Sequence, residues 1–303
     1  MTRVALIGPP DRPEIERLQV RLEERGVEAV ALDTRLDPGI TIEGRGAWAC
    51  GADLRGIAGA YVADLGIRAP RVPTGAAREH ALAASLRHLA AWNALLEHLS
   101  LRARVVNPPA THDLHALKPF EVFSYVRAGI PVPWTVATTD PEAVGDLPDG
   151  SLRGWVSKGL VGGYSHTVAY EPLSPCGQAA APPNGTARMV QERIEGDNVR
   201  AFVLDGRVIG AAEVLPVEGA EIDSRHGETR IRRMVLPGEA AQVAVAVARR
   251  WRMPFAAVDF MRDARSGRFL VLECNSAPFF ATFEARAGLD ISGRLADHLL
   301  GRV

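Results

Sequence analysis

LVLECNSAPFF, residues 270–280, places a carboxylate, Glu273, and an amide, Asn275, two positions apart at the end of an apolar run. Residues i and i+2 of a strand share a face, so both polar side chains leave the segment in the same direction. Taking them out of water is costly unless something pairs with them. AAVDFM, residues 256–261, is a second apolar run interrupted by a single acid, Asp259. The two runs flank the turn-forming Asp263–Gly267, so they read as an antiparallel pair that brings Asp259 to the face of Glu273 and Asn275. Two carboxylates and an amide oxygen, with no Cys or His, form a hard-oxygen set. That set suits Mg²⁺ or Mn²⁺, with phosphate oxygens and water completing the coordination. The plainer alternative is that Asp259 ends its strand and Glu273 pairs with a nearby arginine.

Further polar signals lie upstream. Trp155–Lys158 reads as a strand and runs into the glycine-rich GLVGGYSHTV, residues 159–168. A lysine beside Gly162 and Gly163 is a phosphate grip in outline, because the amides approach closely while the ammonium neutralises charge. Lys118 falls on an expected helix, Asp113–Ala128, ended by Gly129. Met189–Ile194 reads as a strand. Its end, Gln191-Glu192-Arg193-Ile194, offers backbone groups to a base edge and Ile194 to its ring. Each of these also reads as a solvated lysine or a polar turn. Arg200–Leu204 and Arg207–Val214 are expected strands around the Asp205-Gly206 hairpin turn, Glu239–Arg250 is an expected helix, and Gly288–Leu300 is the last one. Pro172–Gly185 is rich in Pro, Ala and Gly and reads as a surface loop.

The chain has 303 residues, 47% hydrophobic and 23% charged, with a formal net charge of −1. That is an ordinary globular composition, and no overall field favours nucleic acid or an anionic membrane. The three cysteines, Cys50, Cys176 and Cys274, form neither a metal-thiolate pattern nor a disulfide framework. The amino terminus lacks the apolar core of a signal peptide, and no run approaches the ~18 residues needed to span a bilayer. A cytoplasmic location is the expectation, and a homo-oligomer stays open.

The chain opens with Val4–Ile7, a helix begun at Pro13 and stopped by Gly26, and Val27–Leu32: a β-α-β start that predicts a parallel sheet. GPPDRP follows the first strand where a dinucleotide-binding turn needs GxGxxG. Ile57–Val62 is another short strand and Thr74–Leu99 a long Ala- and Leu-rich helix. Val105-Val106 leads into Asn107-Pro108-Pro109, a natural boundary.

Taken in order, Lys118, Lys158 with Gly162-Gly163, Gln191-Glu192 with Ile194, Asn198 with Arg200, Asp259, and Glu273-x-Asn275 resemble the ATP-grasp superfamily over roughly residues 107–303. The D…ExN ending and the tail NSAPFFATFEARAGLDISGRLADHL are most similar to the ribosomal protein S6 glutamate ligase type. The resemblance implies a mixed α/β and α+β ATP-grasp fold. A Rossmann-like domain at 1–106 would precede an ATP-grasp domain at 107–303, with lobes of about 107–190 and 191–303. It implies ATP and two Mg²⁺ (or Mn²⁺) ions as cofactors and a small-molecule amino acid or peptide as substrate. Lys118 and Lys158 would contact phosphates, Gln191, Glu192 and Ile194 the adenine, and Asn198 the ribose, with Asp197 as the alternative. Asp259, Glu273 and Asn275 would hold the ions, and Arg200 would point into the phosphate or acyl-phosphate site. One departure is EIDSRHGETRIRR, residues 221–233, where Asp223-x-Arg225 is reminiscent of peptide-macrocyclising relatives. Arg225 would then bind phosphate or a substrate carboxylate. The implied reaction is ATP-dependent joining of a carboxylate to an amine through an acyl phosphate. The alternative on the same scaffold is a maturase forming amide or ester links in a ribosomally made peptide, and outside it a nucleotide-binding regulator.

Overall fold

The computed structural model describes residues 1–44, 46–65, 76–140, 154–160, 167–170, 188–216 and 229–302. Gly162, Gly163, His166, Cys176, the 172–185 loop and Arg225 lie outside them.

β1 (Arg3–Ile7), α1 (Pro13–Glu23) and β2 (Glu28–Leu32) form the expected β-α-β start. β3 (Thr41–Glu43), β4 (Gly46–Ala49) and β5 (Ala52–Asp53) make a small antiparallel sheet beyond the sequence expectation. β6 (Ile57–Val62), α2 (Ala76–Ser100) and β7 (Arg104–Val106) complete a four-stranded parallel sheet in the order β2-β1-β6-β7. Its strands are short and nearly all apolar because both faces are covered. Trp92, Leu95 and Leu96 of α2 close one face over Ala5, Ile7, Ala60 and Val62. Ile15, Leu18 and Leu22 of α1 close the other.

The expected helix 113–128 is two elements. A 3₁₀ helix covers Pro109–Ala116, and α3 (Lys118–Arg127) starts afresh after Leu117. Pro119 is the reason: its ring and missing N–H would break a helix interior but suit a first turn. Lys118 therefore stands at the start of α3.

β8 (Thr135–Thr138), β9 (Trp155–Gly159), β10 (Val168–Tyr170) and β11 (Arg188–Glu192) form an antiparallel sheet ordered β10-β9-β11-β8. β11 stops at Glu192, short of the expected Ile194. The chain turns there, with the Glu192 and Arg193 amides donating to the Trp134 and Gly154 carbonyls. Next comes a five-stranded antiparallel sheet, ordered β14-β13-β12-β15-β16, built from β12 (Gly196–Leu204), β13 (Arg207–Pro216), β14 (Thr229–Met234), β15 (Phe255–Asp263) and β16 (Phe269–Asn275). β14 is a further strand beyond the sequence expectation, although TRIRRM alternates at period two. α4 (Gly238–Arg250) packs Ala240, Ala244 and Val247 onto one face of this sheet, over Val199, Val258 and Phe260.

The expected helix from Gly288 to Leu300 is present as one helix, and a further short helix precedes it. α5 (Ala281–Ala287) ends at Gly288, whose φ of 62° is the left-handed conformation that closes a helix, and α6 (Ile291–Leu299) follows. Glu284 makes the corner: its buried Oε1 accepts from the Ile291 and Ser292 amides at 2.7 and 2.6 Å. α5 and α6 return to the amino-terminal sheet, so Leu18, Leu22 and Tyr61 share one core with Phe202, Phe255, Leu295 and Leu299. A Cβ at Gly59 of β6 would meet the Leu299 carbonyl at 2.7 Å, so only glycine lets α6 lie so close. Asn107 pins the junction from within, donating to the Phe255 carbonyl at 2.5 Å and accepting from the Phe255 amide at 3.1 Å.

α3 is docked by a buried acid. Glu121 Oε1 accepts from Tyr125 Oη at 2.8 Å and from the Cys274 amide at 2.5 Å, and Trp251 Nε1 donates to Tyr125 Oη at 2.8 Å. Burial pushes the Glu121 carboxyl up to about 8, against hydrogen bonds from Tyr125 and Cys274 that favour the charged form. Between the ordinary value of 4.5 and about 8 the folded chain thus holds a proton that the unfolded chain has lost. Its stabilising effect is complete below that window and declines as pH rises through it. Glu121→Gln keeps the acceptor oxygen and cannot ionise. It is expected to be more stable than the parent at pH 8.5, by on the order of 3 kcal/mol, and nearly equal at pH 5. Urea unfolding at the two pH values checks this, and a pH-independent difference would contradict it.

Candidate active site

The strand register sets one polar row. Arg200 of β12 stands opposite Asp259 of β15, and Asp259 opposite Glu273 of β16, while Ala257 faces Asn275. Opposed residues share a face, so Arg200, Asp259, Glu273 and Asn275 converge on the side away from α4. Cys274 points back into the core beneath α4 and is 3% exposed.

The side chains close on one another. Arg200 grips Asp259 with both prongs, Nε to Oδ1 at 2.6 Å and a terminal nitrogen to Oδ2 at 2.8 Å. Asn275 Nδ2 donates to Asp259 Oδ2 at 3.0 Å and to Glu273 Oε1 at 3.2 Å. Lys118 Nζ, at the start of α3, reaches Glu273 Oε2 at 2.6 Å. Part of the plainer alternative therefore holds: each acid has a cationic partner, although that of Glu273 is a lysine. Burial raises the Asp259 carboxyl, and Arg200 offsets this only in part, with Glu273 opposing it. Burial would raise Glu273 too, but Lys118 outweighs it, helped by Asn275 and Lys158, and holds the group at about 2.

Lys158 thus lies near enough to act on Glu273, and it also donates to Gln191 Oε1 at 2.7 Å. Gln191 is buried and passes the contact on, Nε2 to Thr135 Oγ1 at 3.0 Å. Glu192 ends β11, and Ile194 falls on the connection from the four-stranded to the five-stranded antiparallel sheet, where a nucleotide bound between the sheets would meet the backbone. Strand alternation separates the two ribose candidates. Asn198 shares the face of Arg200, whereas Asp197 turns to the other face and pairs with Arg262.

The donor set fits a divalent ion. Two carboxylates lie opposite one another on adjacent strands with an amide between them, a like-charge arrangement that a cation relieves. Among the described residues no three Asp, Glu, His or Cys side chains gather as a self-sufficient metal site. An ion at Asp259, Glu273 and Asn275 would need further oxygens from phosphate and water, which is the habit of Mg²⁺.

Several supporting residues escape sequence reading because their partners are distant in the chain. Besides Glu121 and Asn107, Glu14 of α1 is buried, and its Oε1 accepts from the Phe280 and Ala281 amides at 3.1 Å each. A cavity of about 340 Å³ lies beside Arg200 and Asn275, walled on its far side by Ala63–Leu65. A larger groove of about 490 Å³ between α1 and α6 contains none of these residues. Its arginines, Arg17, Arg21 and Arg25, face Glu284, Glu24 and Asp297.

Comparison with known proteins bears on the fold. The chain superposes on the ATP-grasp ligase PsnB complexed with minimal precursor at a TM-score of 0.82 and 26% identity, covering 100% of this chain and 99% of that one. The same ligase complexed with minimal precursor, Mg and ADP matches at 0.82 and 27% identity, over 99% and 96%. The macrocyclase MdnC bound with precursor peptide MdnA from Microcystis aeruginosa MRC shares the fold at a TM-score of 0.75 and 17% identity, over 99% and 100%. The protein therefore has the ATP-grasp fold. More narrowly, residues 184–299 match the family of RimK-like ATP-grasp domains. A probable alpha-L-glutamate ligase of Aliivibrio salmonicida (strain LFI1238) is 34% identical over 114 residues, 37% of each chain. That of Serratia proteamaculans (strain 568) is 28% identical over 190 residues, 57% of this chain and 59% of its own length. The matches thus span between a third and three fifths of these relatives. No helix among the described residues is long and apolar enough to cross a membrane.

Proposed function

We propose that the protein is an ATP-dependent ligase that joins the carboxylate of an amino acid or peptide to an amine, releasing ADP and phosphate. The observation that carries this is the Arg200–Asp259–Glu273 row with Asn275 and two lysines around it. It collects metal-ligating oxygens and phosphate-binding cations in one place, and no Ser/His/Asp or Cys/His nucleophile stands among them.

Asp259, Glu273 and Asn275 would hold Mg²⁺, and two ions suit the two carboxylates. Mg²⁺ with ATP supplies the charge neutralisation that lets a substrate carboxylate attack the γ-phosphorus. The chain's own residues prepare that step. Lys118 and Lys158 bring two positive charges to the Glu273 side, where phosphates would enter. Arg200 fixes the orientation of Asp259 and would steady the negative charge that develops when an amine adds to the acyl phosphate. Glu192, Ile194 and Asn198 would take the base and ribose, and Gly162-Gly163 would cover the phosphates and exclude water. Arg225 would bind a substrate carboxylate or phosphate.

A second reading has its own support: the match to PsnB, a ligase complexed with a peptide precursor, runs over the whole chain, whereas the glutamate ligases match in part. The amine, or a hydroxyl, would then belong to a ribosomally made peptide.

One experiment tests the reaction class. ADP release is screened against pairs of amino acids and dipeptides, and the active acid is then supplied with ¹⁸O in its carboxylate. One label is expected in the released phosphate, with ADP as the nucleotide product. Unlabelled phosphate, or AMP with pyrophosphate, would overturn the acyl-phosphate route.

A further inference from the structure

β16 is the last strand in the order β14-β13-β12-β15-β16, so among the described residues no further strand pairs with its outer side. It is also irregular. Asp259 of β15 stands opposite Glu273, and the next residue, Phe260, stands opposite Val271, which leaves no residue of β15 opposite Leu272. The extra residue is a β-bulge. Val271 and Cys274, three positions apart, both lie in the core beneath α4. An unbroken strand would instead put Val271 and Glu273 on one face. The bulge therefore turns Glu273 out of that apolar core and onto the side of Asp259, and Asn275 follows two positions on.

A bulge on an edge strand interrupts the ladder, so its support has to come from the open side. The Val271 amide, just before the bulge, donates to the Pro131 carbonyl at 2.8 Å. The Cys274 amide, just after it, donates to Glu121 Oε1 of α3 at 2.5 Å. Cys274 separates Glu273 from Asn275, so Glu121 grips the backbone between the two polar side chains. Glu121 is 2% exposed. Attaching α3 does not require an acid at this position. Tyr125 packs into the core with Val271 and Cys274. Its Oη and Ser124 Oγ accept from Trp251 and Arg250, at the end of α4, at 2.8 and 3.0 Å. Packing has no direction, whereas a hydrogen bond to one amide does. Lys118 lies one turn before Glu121 on the same face of α3, and its Nζ reaches Glu273 Oε2 at 2.6 Å. A single turn of helix thus holds both the backbone and the side chain of the Glu273 segment.

Resting on the reading of Asp259, Glu273 and Asn275 as ligands of a divalent ion, we infer that Glu121 is a positioning residue of that site. Its carboxyl clamps the bulge of β16, which keeps Glu273 and Asn275 aimed at the ion and sets their place relative to Lys118. Glu121 touches neither ion nor substrate and acts through the Cys274 amide. Groups that orient metal ligands in this way contribute about 10–100-fold to metal affinity.

Mn²⁺ affinity, followed by electron paramagnetic resonance on the full chain, tests this together with the melting temperature. Glu121→Leu fills the space without an acceptor and is expected to weaken Mn²⁺ binding about tenfold or more. Glu121→Asp keeps the acid but draws it back from Cys274. It should weaken binding in the same direction, and it carries the test if the leucine variant does not fold. Glu121→Gln retains an acceptor oxygen and should bind Mn²⁺ like the parent. Tyr125→Phe removes the hydroxyl that Trp251 and Glu121 share and leaves the Cys274 contact in place. It should lower the melting temperature and leave Mn²⁺ affinity unchanged. The inference is overturned if the folded Leu and Asp variants bind Mn²⁺ like the parent, if Glu121→Gln does not restore binding, or if Tyr125→Phe loses affinity as they do. In each of those cases Glu273→Gln still weakens Mn²⁺ binding. Failure of the metal reading looks different: Glu273→Gln itself would bind Mn²⁺ like the parent, and the inference would fall with it.

Discussion

Asp259→Asn and Glu273→Gln are each expected to lower ATP turnover by about 10³-fold or more, a loss of ~4 kcal/mol of transition-state stabilisation, with the fold retained. Each substitution is nearly isosteric and removes one negative charge from the opposed pair of β15 and β16. An amide keeps one of the two acceptor oxygens, and the strand register is set by the backbone ladder of β12, β15 and β16, which neither substitution touches. What goes is the charge that would bind a divalent ion. Binding of Mn²⁺, followed by electron paramagnetic resonance without any turnover, should weaken in parallel, while circular dichroism stays that of the parent. Near-parental turnover at saturating Mg²⁺ in either variant would remove the metal assignment.

Arg200→Ala should reduce both activity and stability. The guanidinium is the bidentate partner of Asp259, with distances of 2.6 and 2.8 Å, and its loss leaves a half-buried carboxylate beside Glu273. Removing one member of a half-buried pair costs about 1–3 kcal/mol, less than for a fully buried one, and losing a charge-stabilising donor costs about 10²–10³-fold in rate. Arg200→Lys restores the charge without the planar fork. It should recover most of the melting temperature and much less of the turnover. That split separates a role in chemistry from a role in holding the sheet together. Equal recovery of both would mean that Arg200 serves the fold alone.

Much of the architecture is legible in the sequence because it rests on local rules. The β-α-β start, the strand pair of Asp259 and Glu273, the Asp205-Gly206 hairpin and the amphipathic α4 all follow from periodicity and turn chemistry. Expectation and structure part at Pro119, which restarts a helix that composition would continue, and at α5, a short helix the sequence pattern does not announce. The candidate site is legible as a set of residues, since acids and an amide inside apolar runs are costly to bury unless they bind something. Its wiring is not. No spacing in the sequence says that Lys118 reaches Glu273, 155 residues away, or that Arg200 pairs with Asp259.

The sequence by itself determined which polar side chains share a face, because period two fixes the common side of Glu273 and Asn275 wherever the strand lies. Only the tertiary structure decided what those residues meet. Sheet order and register place β12, β15 and β16 side by side, and α3 brings a lysine to the end of the row. The returning α5 and α6 press the segment after Asn275 against the carboxyl ends of β1 and β6, where Arg12, Glu14 and Asp64 stand. Glu14 reaches Phe280 there across 266 positions of chain. Chain connectivity does not specify which distant segments meet. The burial of one shared core does.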